Sequence, residues 1–230
     1  MADLGTLTER LDYQFKDSGL LDIALSHRSS GASNYERLEF LGDSFLNFIV
    51  ASELYHHRPD EDEGALSRLR ASLVRQSTLA EIARELSLGD YLNLGVGELR
   101  SGGFRRDSIL SDVVESIVGA VLLDGGYEVA RALVLRLYAH RIDTLPPSSD
   151  LKDPKTRLQE LLQSQSLARP EYQVLETSGK SHDMRFTVLC SLPELALTTR
   201  AMATSRRKAE QAAAAMMLEN LHQQLEAQSE

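Results

Sequence analysis

Five carboxylate residues stand at spacings that would allow them to bind a metal ion together. In a helix of about 100° per residue, Glu36, Glu39 and Asp43 share one stripe, because offsets of three and seven nearly realign. Asp112 and Glu115 repeat the three-residue offset later in the chain. Carboxylate oxygens are the ligands that Mg²⁺ prefers, and a magnesium ion can activate water for attack on a phosphodiester. If two such helices pack together, the spacing predicts a hydrolytic metal site.

Each of these residues also has an ordinary structural explanation. Glu36 follows Ser33 by three positions, which is the spacing of a capping box at a helix start. The other four acids could be solvated residues on helix surfaces, and spacing alone favours that explanation. His27 fits a hydrogen-bonded structural histidine better than a ligand, and the acidic run at 60–63 fits a solvated loop. Periodicity by itself does not establish a catalytic site.

The first part of the chain has the apolar spacing of helices. Apolar residues recur three and four positions apart, which is the period of an amphipathic helix. One helix should begin near Asp107 and end at Gly125 and Gly126. We therefore predict an all-helical domain over residues 1–147. The apolar positions are Leu38, Leu41, Phe45, Phe48 and Ile49; Leu66, Leu69 and Leu73; Leu79, Ile82, Ala83 and Leu86; and Ile109, Val113, Ile117, Ala120 and Val121.

The second part has a mixed pattern. Prolines and small polar residues in 145–154 disfavour a helix, keep the backbone extended, and predict a linker at 148–153. A helix near 156–166, three short strands, and a last helix capped by Ser205 then predict a small α-β-β-β-α domain over 154–225, with a tail at 226–230. The alternating apolar residues of the strands are Tyr172 and Val174; Phe186, Val188, Cys190 and Leu192; and Leu195, Leu197 and Thr199.

The charge distribution allows a basic binding surface on an acidic protein of net charge −9. Residues 1–147 carry 15 Lys and Arg against 23 Asp and Glu, whereas residues 148–230 carry 10 against 11. In the second part, positive charge is concentrated at 206–208, at a predicted helix start whose dipole also favours anions.

Cysteine content and hydropathy restrict the other possibilities. The single cysteine, Cys190, cannot form an internal disulfide and has no metal-ligand spacing around it, so a buried thiol is predicted. No apolar run is long enough to span a bilayer, and the first residues do not have the pattern of a signal peptide. We therefore expect a cytoplasmic protein.

Several sequence blocks resemble the ribonuclease III family. The string ERLEFLGDS at 36–44 closely resembles the family signature. A nine-residue signature together with several ordered blocks is far more specific than a short motif. The resemblance covers nearly the whole chain, and it implies an all-α endonuclease domain. The other blocks, in the family's order, are SHRS at 26–29, SRLRASLV at 67–74, LGVGELRSGGFRRDSIL at 94–110 and SDVVESIVGAVLLD at 111–124.

This resemblance assigns roles to the carboxylates. It implies that Glu39 and Asp112 are metal ligands, and that Asp43 and Glu115 are both ligands and the catalytic carboxylates. The implied metal is Mg²⁺, with Mn²⁺ expected to substitute, and no small-molecule cofactor is implied. Two further residues are expected to contact substrate near the cut, namely Glu36 and Glu63.

The chain departs from the family pattern at three positions in these blocks. Tyr35 stands where asparagine often precedes the signature glutamate, and Ser111 and Ser116 stand where alanine is common. None of the three replaces a ligand. The resemblance therefore still implies an active site, with slightly different packing behind the metal.

Residues from about 153 to 225 resemble a double-stranded RNA-binding domain. The blocks are DPKTRLQE at 153–160, GKSHDMRF at 179–186 and SRRKAEQAAA at 205–214. Such domains read the shape of A-form RNA across two minor grooves and the phosphates between them. The ordinary explanations are a polar helix face and a solvated basic helix start. The resemblance implies minor-groove contacts from Gln159, Glu160 and His182, and phosphate contacts from Arg206, Arg207 and Lys208.

Taken together, these resemblances imply a homodimeric, magnesium-dependent endonuclease for double-stranded RNA. Each subunit would cut one strand, leaving 5′-phosphate and 3′-hydroxyl ends with two-nucleotide 3′ overhangs. The expected substrates are precursor ribosomal RNA and structured messenger RNA, and no membrane partner is expected. One alternative is a protein that binds duplex RNA without cutting it, which the intact acidic set disfavours. Another is a phosphohydrolase of small molecules, which the RNA-binding domain disfavours.

Overall fold

The chain folds into two compact units, residues 1–148 and 149–230. The structure, a computed structural model, describes residues 3–31, 33–179 and 183–227. The first unit is helical, and the second combines two helices with a three-stranded sheet, so the predicted fold class is confirmed. Within the described ranges, no helix combines the length and the hydropathy that a membrane span requires.

The helices of the first unit often begin at aspartates that satisfy the free backbone N–H groups of the first turn. The side chain of Asp3 accepts a hydrogen bond from Gly5 N, and that of Asp17 accepts one from Gly19 N. The α-helices are α1 (Leu4–Leu11), α2 (Ser18–Ala24), α3 (Glu36–His57), α4 (Glu63–Val74), α5 (Gln76–Glu85), α6 (Val96–Arg100), α7 (Asp107–Gly125) and α8 (Tyr127–Asp143).

The long helices α3 and α7 cross at two glycines. A Cβ atom on Gly42 would lie 1.8 Å from the carbonyl oxygen of Glu115, and one on Gly119 would lie 2.2 Å from that of Leu38. Only a residue without a side chain fits at such distances, so the glycines let the two backbones touch. Side chains that lie about one helical turn from these two glycines, on α3 and on α7, are therefore close to one another.

Two local expectations for the first unit are wrong, and one apolar side chain is more exposed than its neighbours. Phe48 lies in α3, as its spacing predicts, and is 58% exposed. Ser33 does not supply the cap of α3, because the backbone N–H of Glu36 donates to Asn34 Oδ1 at 3.0 Å instead. The acidic run at 60–63 is only partly a loop, since Asp62 caps α4 and Glu63 is its first residue.

The second unit packs α9 (Pro154–Ser164) and α10 (Arg206–Ala227) on one face of an antiparallel sheet. The sheet has the order β1 (Glu171–Ser178), β2 (Arg185–Leu192), β3 (Leu197–Ala203). Alternate residues of β2 point into the core, which explains the alternation in the sequence. Its buried residues include Leu158, Leu162, Val188, Cys190, Leu192, Ala213 and Met217.

Local predictions for this unit are partly confirmed. Ser205 caps α10 by accepting a hydrogen bond from Lys208 N at 3.2 Å, and the Cys190 thiol is buried. Leu195 is not in the third strand, because Pro193–Leu195 forms a 3₁₀ turn before it. The segment at 148–153 is not extended throughout either, since Ser148–Leu151 forms another 3₁₀ turn.

Candidate active site and binding surface

Three of the predicted carboxylates meet at the crossing of α3 and α7. Glu39, Asp112 and Glu115 each offer an oxygen atom, and these three atoms lie within 4.8 Å of one another. Glu39 precedes Gly42 by three residues, and Glu115 precedes Gly119 by four. The close approach of the two backbones therefore positions this acidic cluster, defined as Glu39, Asp112 and Glu115.

The acidic cluster holds three carboxyl groups close together and partly buried. Burial, together with the charges of Asp112, Glu36 and Asp43, raises the pKa of Glu39 to about 7. Burial, together with the charges of Asp43, Asp112 and Glu39, raises the pKa of Glu115 to about 8. Within the described ranges, none of the three cluster carboxylates forms an ion pair with a lysine or arginine. Hard oxygen ligands with excess negative charge fit a divalent cation.

Asp112 has neighbours that moderate its charge. Burial raises the pKa of its carboxyl group, and hydrogen bonds from Tyr35 and Ser111 oppose that shift. His27 also opposes it, and this histidine is buried with its Nδ1 atom 2.7 Å from Ser29 Oγ. His27 is therefore a hydrogen-bonded structural residue, as predicted.

Asp43 lies apart from the acidic cluster. Its side chain is exposed, and its Oδ1 atom accepts a hydrogen bond from Asn47 Nδ2 at 2.7 Å. Among the described residues it is not a member of the group whose oxygens approach within 4.8 Å. It is nevertheless close enough for its charge to raise the pKa values of both Glu39 and Glu115.

The two residues expected near the cut also lie outside the acidic cluster in the described structure. Glu36 is exposed, with its carboxylate 3.8 Å from Arg28 Nη1. Glu63 is exposed at the start of α4, where its carboxylate accepts a hydrogen bond from Ser67 Oγ at 2.8 Å. Neither position is buried by the protein.

Five of the six predicted RNA-binding residues of the second unit lie on its two helices, at 159–160 and 206–208. Gln159 and Glu160 are exposed on α9, and Glu160 pairs with Lys152 Nζ at 2.6 Å. The first turn of α10 exposes the basic residues at 206–208. His182 falls outside the described residues.

A buried ion pair joins the two helices of the second unit. Glu210 is 9% exposed, and its two oxygens accept from Lys155 Nζ at 2.6 Å and from Arg206 Nε at 2.8 Å. Beside it, Gln211 Nε2 donates to Asp153 Oδ1 at 2.8 Å. Sequence reasoning missed Glu210, although its spacing of four from Arg206 was a usable signal.

Both units are similar to known protein families. Residues 17–142 match the family described as ribonuclease-III-like, and residues 154–221 match the double-stranded RNA binding motif. The chain is 55% identical to the ribonuclease 3 of Vibrio vulnificus over 94% of this chain and 96% of that one. It is 56% identical to the ribonuclease 3 of Alkalilimnicola ehrlichii, with 94% of each chain covered.

A solved structure is similar to the first unit. The nuclease domain of ribonuclease III from Campylobacter jejuni is 43% identical, with a TM-score of 0.60. The match covers 61% of this chain and 99% of that one. The acidic cluster, the RNA-binding domain and these relatives agree, and the chain therefore belongs to the ribonuclease III family, whose members are metal-dependent endoribonucleases specific for double-stranded RNA.

Proposed function

We propose that the enzyme uses Mg²⁺ to hydrolyse duplex RNA, and that the acidic cluster holds the metal. The observation that carries this proposal is the set of three carboxylates within 4.8 Å of one another, two of them with pKa values raised to about 7 and about 8. Burial and the neighbouring carboxylates raise these values, and a cation at this point would stabilise the charged forms of both groups. Mn²⁺, which also accepts carboxylate oxygens, should substitute.

In this proposal the four carboxylates have different roles. Glu39 and Asp112 hold the metal, while Asp43 and Glu115 are metal ligands and the catalytic carboxylates. When bound, the metal supplies positive charge that lowers the pKa of water and stabilises the leaving oxygen. Of the two catalytic carboxylates, Glu115 is partly buried, whereas Asp43 is exposed to solvent and accessible to substrate. The products are 5′-phosphate and 3′-hydroxyl ends.

We assign RNA contacts to both units. Gln159, Glu160 and His182 are proposed to contact the minor groove. Glu36 and Glu63 are proposed to lie near the cut, which their exposure supports. The phosphates are assigned to the exposed basic turn formed by Arg206, Arg207 and Lys208.

We also propose a homodimer in which each subunit cuts one strand and leaves a two-nucleotide 3′ overhang. The similar structure from Campylobacter jejuni is described as having a region involved in dimer formation. In this chain, Phe40 is 77% exposed and Leu123 also projects into solvent. Phe40 and Leu123 line one surface groove, and exposed apolar side chains that lie together support an interface. Sedimentation equilibrium should then give twice the chain mass of 25.5 kDa.

The proposed domain limits are 1–147 for the catalytic domain, 148–153 for the linker, 154–225 for the RNA-binding domain and 226–230 for a tail. The division into compact units after residue 148 supports these limits. The proposed setting is the cytoplasm, and the proposed substrates are precursor ribosomal RNA and structured messenger RNA.

The activity can be tested with a duplex RNA of about thirty base pairs, roughly twice the span of one RNA-binding domain. The full chain is incubated with the duplex in MgCl₂, in MnCl₂ and in EDTA, with a single strand of the same sequence as the control. We expect metal-dependent cleavage of the duplex alone, with 5′-phosphate ends. Equal cleavage in EDTA, or none with either metal, contradicts the proposal.

A further inference from the structure

Two hydroxyl groups of this chain flank the carboxylate of Asp112. Tyr35 donates a hydrogen bond to Asp112 Oδ2 at 3.3 Å, from a position 77 residues away in the sequence. Ser111 lies on the other side, with its Oγ atom 3.3 Å from Asp112 Oδ1. Both residues are positions at which the sequence departs from the family pattern. A carboxylate oxygen has two lone pairs, so both oxygens keep the capacity to bind a metal.

The phenol of Tyr35 is held in place from several sides. The residue is 2% exposed, and its ring meets the ring of His27 edge to face at a centroid distance of 5.7 Å. A phenol keeps its proton at neutral pH, so the hydroxyl of Tyr35 can donate to Asp112. A fixed donor of this kind restricts the rotation of the carboxylate that accepts from it.

Ser111 supports the Asp112 carboxylate less than Tyr35 does, because its hydroxyl group has only one hydrogen to donate and two acceptors lie near it. Its Oγ atom lies 2.8 Å from the carbonyl oxygen of Ser108, which is closer than Asp112 Oδ1. The Ser108 carbonyl therefore competes for this hydrogen. Tyr35 is the stronger support of Asp112.

We propose that Tyr35, assisted by Ser111, is a positioning residue that orients the carboxylate of Asp112 for metal binding. The inference rests on the metal site proposed above. Loss of a group that supports a metal ligand typically lowers metal affinity 10- to 100-fold, and the 3.3 Å distance favours the lower end of that range.

The test is a calorimetric titration of MnCl₂ into the full chain without RNA. Tyr35→Phe keeps the ring and removes one oxygen, and we expect it to raise the dissociation constant for Mn²⁺ about tenfold. Ser111→Ala should raise it about threefold, consistent with its shared hydrogen. At saturating MnCl₂, the cleavage rate of both variants should return close to that of the wild type.

Ser116→Ala is the matched control, because it also removes a buried hydroxyl from α7. Ser116 Oγ donates to the carbonyl oxygen of Ala24 at 2.7 Å and makes no hydrogen bond to a carboxylate of the acidic cluster. We expect this variant to lower the melting temperature in EDTA and to leave the dissociation constant for Mn²⁺ unchanged. Tyr35→Phe should change the dissociation constant more than the melting temperature.

The outcomes separate this inference from the metal site itself. If Tyr35→Phe and Ser111→Ala both bind Mn²⁺ as the wild type does, the positioning role is overturned while the metal site stands. If the wild type binds Mn²⁺ no more tightly than Asp112→Ala, the metal site fails instead. If Ser116→Ala weakens binding as much as Tyr35→Phe, the effect is general packing, and the positioning role is again overturned.

Discussion

Glu115 in the first unit and Glu210 in the second are both shielded glutamates, yet their pKa values move in opposite directions. Burial and three nearby carboxylates raise the pKa of Glu115 to about 8. Hydrogen bonds and charges from Lys155 and Arg206 lower the pKa of Glu210. The second unit supplies the partners of its buried acid from its own helices, whereas among the described residues no lysine or arginine forms an ion pair with the acidic cluster of the first unit.

This difference is the one expected between a structural acid, Glu210, and the catalytic acid proposed at Glu115. A buried carboxylate whose charge is matched by fixed partners holds its surroundings together. Like charges placed side by side are unfavourable, and they persist where function requires them. In the function proposed here, the acidic cluster takes a cation from outside the chain as its partner, whereas Glu210 is paired within its own unit.

The largest expected effect is on catalysis, from Glu115→Gln. This change keeps the shape of the side chain and removes a ligand charge, so the cleavage rate should fall by about 10³-fold or more. Binding of duplex RNA, measured by filter binding in CaCl₂, should be unchanged. Glu128→Gln, at an exposed glutamate of α8, is the control and should cut normally. A Glu115→Gln enzyme within tenfold of the wild-type rate would refute the assignment.

The next effect concerns the crossing that brings the acids together. Gly42→Ala would place a Cβ atom 1.8 Å from the Glu115 carbonyl oxygen, so α3 and α7 must move apart. We expect the free energy of unfolding to fall by about 3 kcal/mol, measured by urea denaturation, and cleavage to be lost. Gly97→Ala is the control, since a Cβ atom there meets nothing within 4 Å. Similar stability of the two variants would contradict this account of the crossing.

A smaller effect should follow from Glu210→Gln. Because Lys155 loses its partner while remaining partly buried, the second unit should lose about 1 to 2 kcal/mol, less than a fully buried pair would lose. Hydrogen exchange of β2 amides measures this loss. A double-mutant cycle with Lys155→Met should show that the two losses are less than additive. Strict additivity would mean that the pair does not couple α9 to α10.

The smallest effect is expected from Arg207→Ala. Loss of one phosphate contact should weaken duplex binding a few-fold and reduce the slope of log affinity against log salt by roughly 0.7 to 0.9. Arg200→Ala is the control, because Arg200 is exposed on β3, where it alternates with the core-facing Thr199. An unchanged salt slope for Arg207→Ala would remove this residue from the binding surface.

Local structure was predictable where local rules decide it. The bounds of α7 follow from its apolar period and its terminal glycines, and the cap at Ser205 follows from residue type. Alternation predicted β2, because one face of that strand is buried. The exposure of Phe48 was not predictable, because periodicity does not say how much of a helix face the rest of the protein covers. Ser33 was misassigned because Asn34 competes for the same backbone N–H groups.

The geometry of the acidic cluster was only partly predictable. The spacing within each helix placed Glu39 in one stripe and Asp112 with Glu115 in another, but which acids meet depends on where α3 and α7 cross. Tyr35 was missed as a neighbour of Asp112 because the contact spans 77 residues. Its offset of four from Glu39 was a usable signal, since it places both on one helix stripe. The raised pKa values follow from burial, which sequence spacing does not contain.

The most direct test of the acidic cluster is the pH dependence of metal binding. In the metal-free protein, Glu39 and Glu115 should hold protons at pH 6 and release them as the pH rises through about 7 and about 8. Calorimetric titration of MnCl₂ in buffers of different ionisation enthalpy should therefore show proton release near pH 7, and affinity at least about tenfold higher at pH 8 than at pH 6. Binding that releases no protons and does not change with pH would contradict the account.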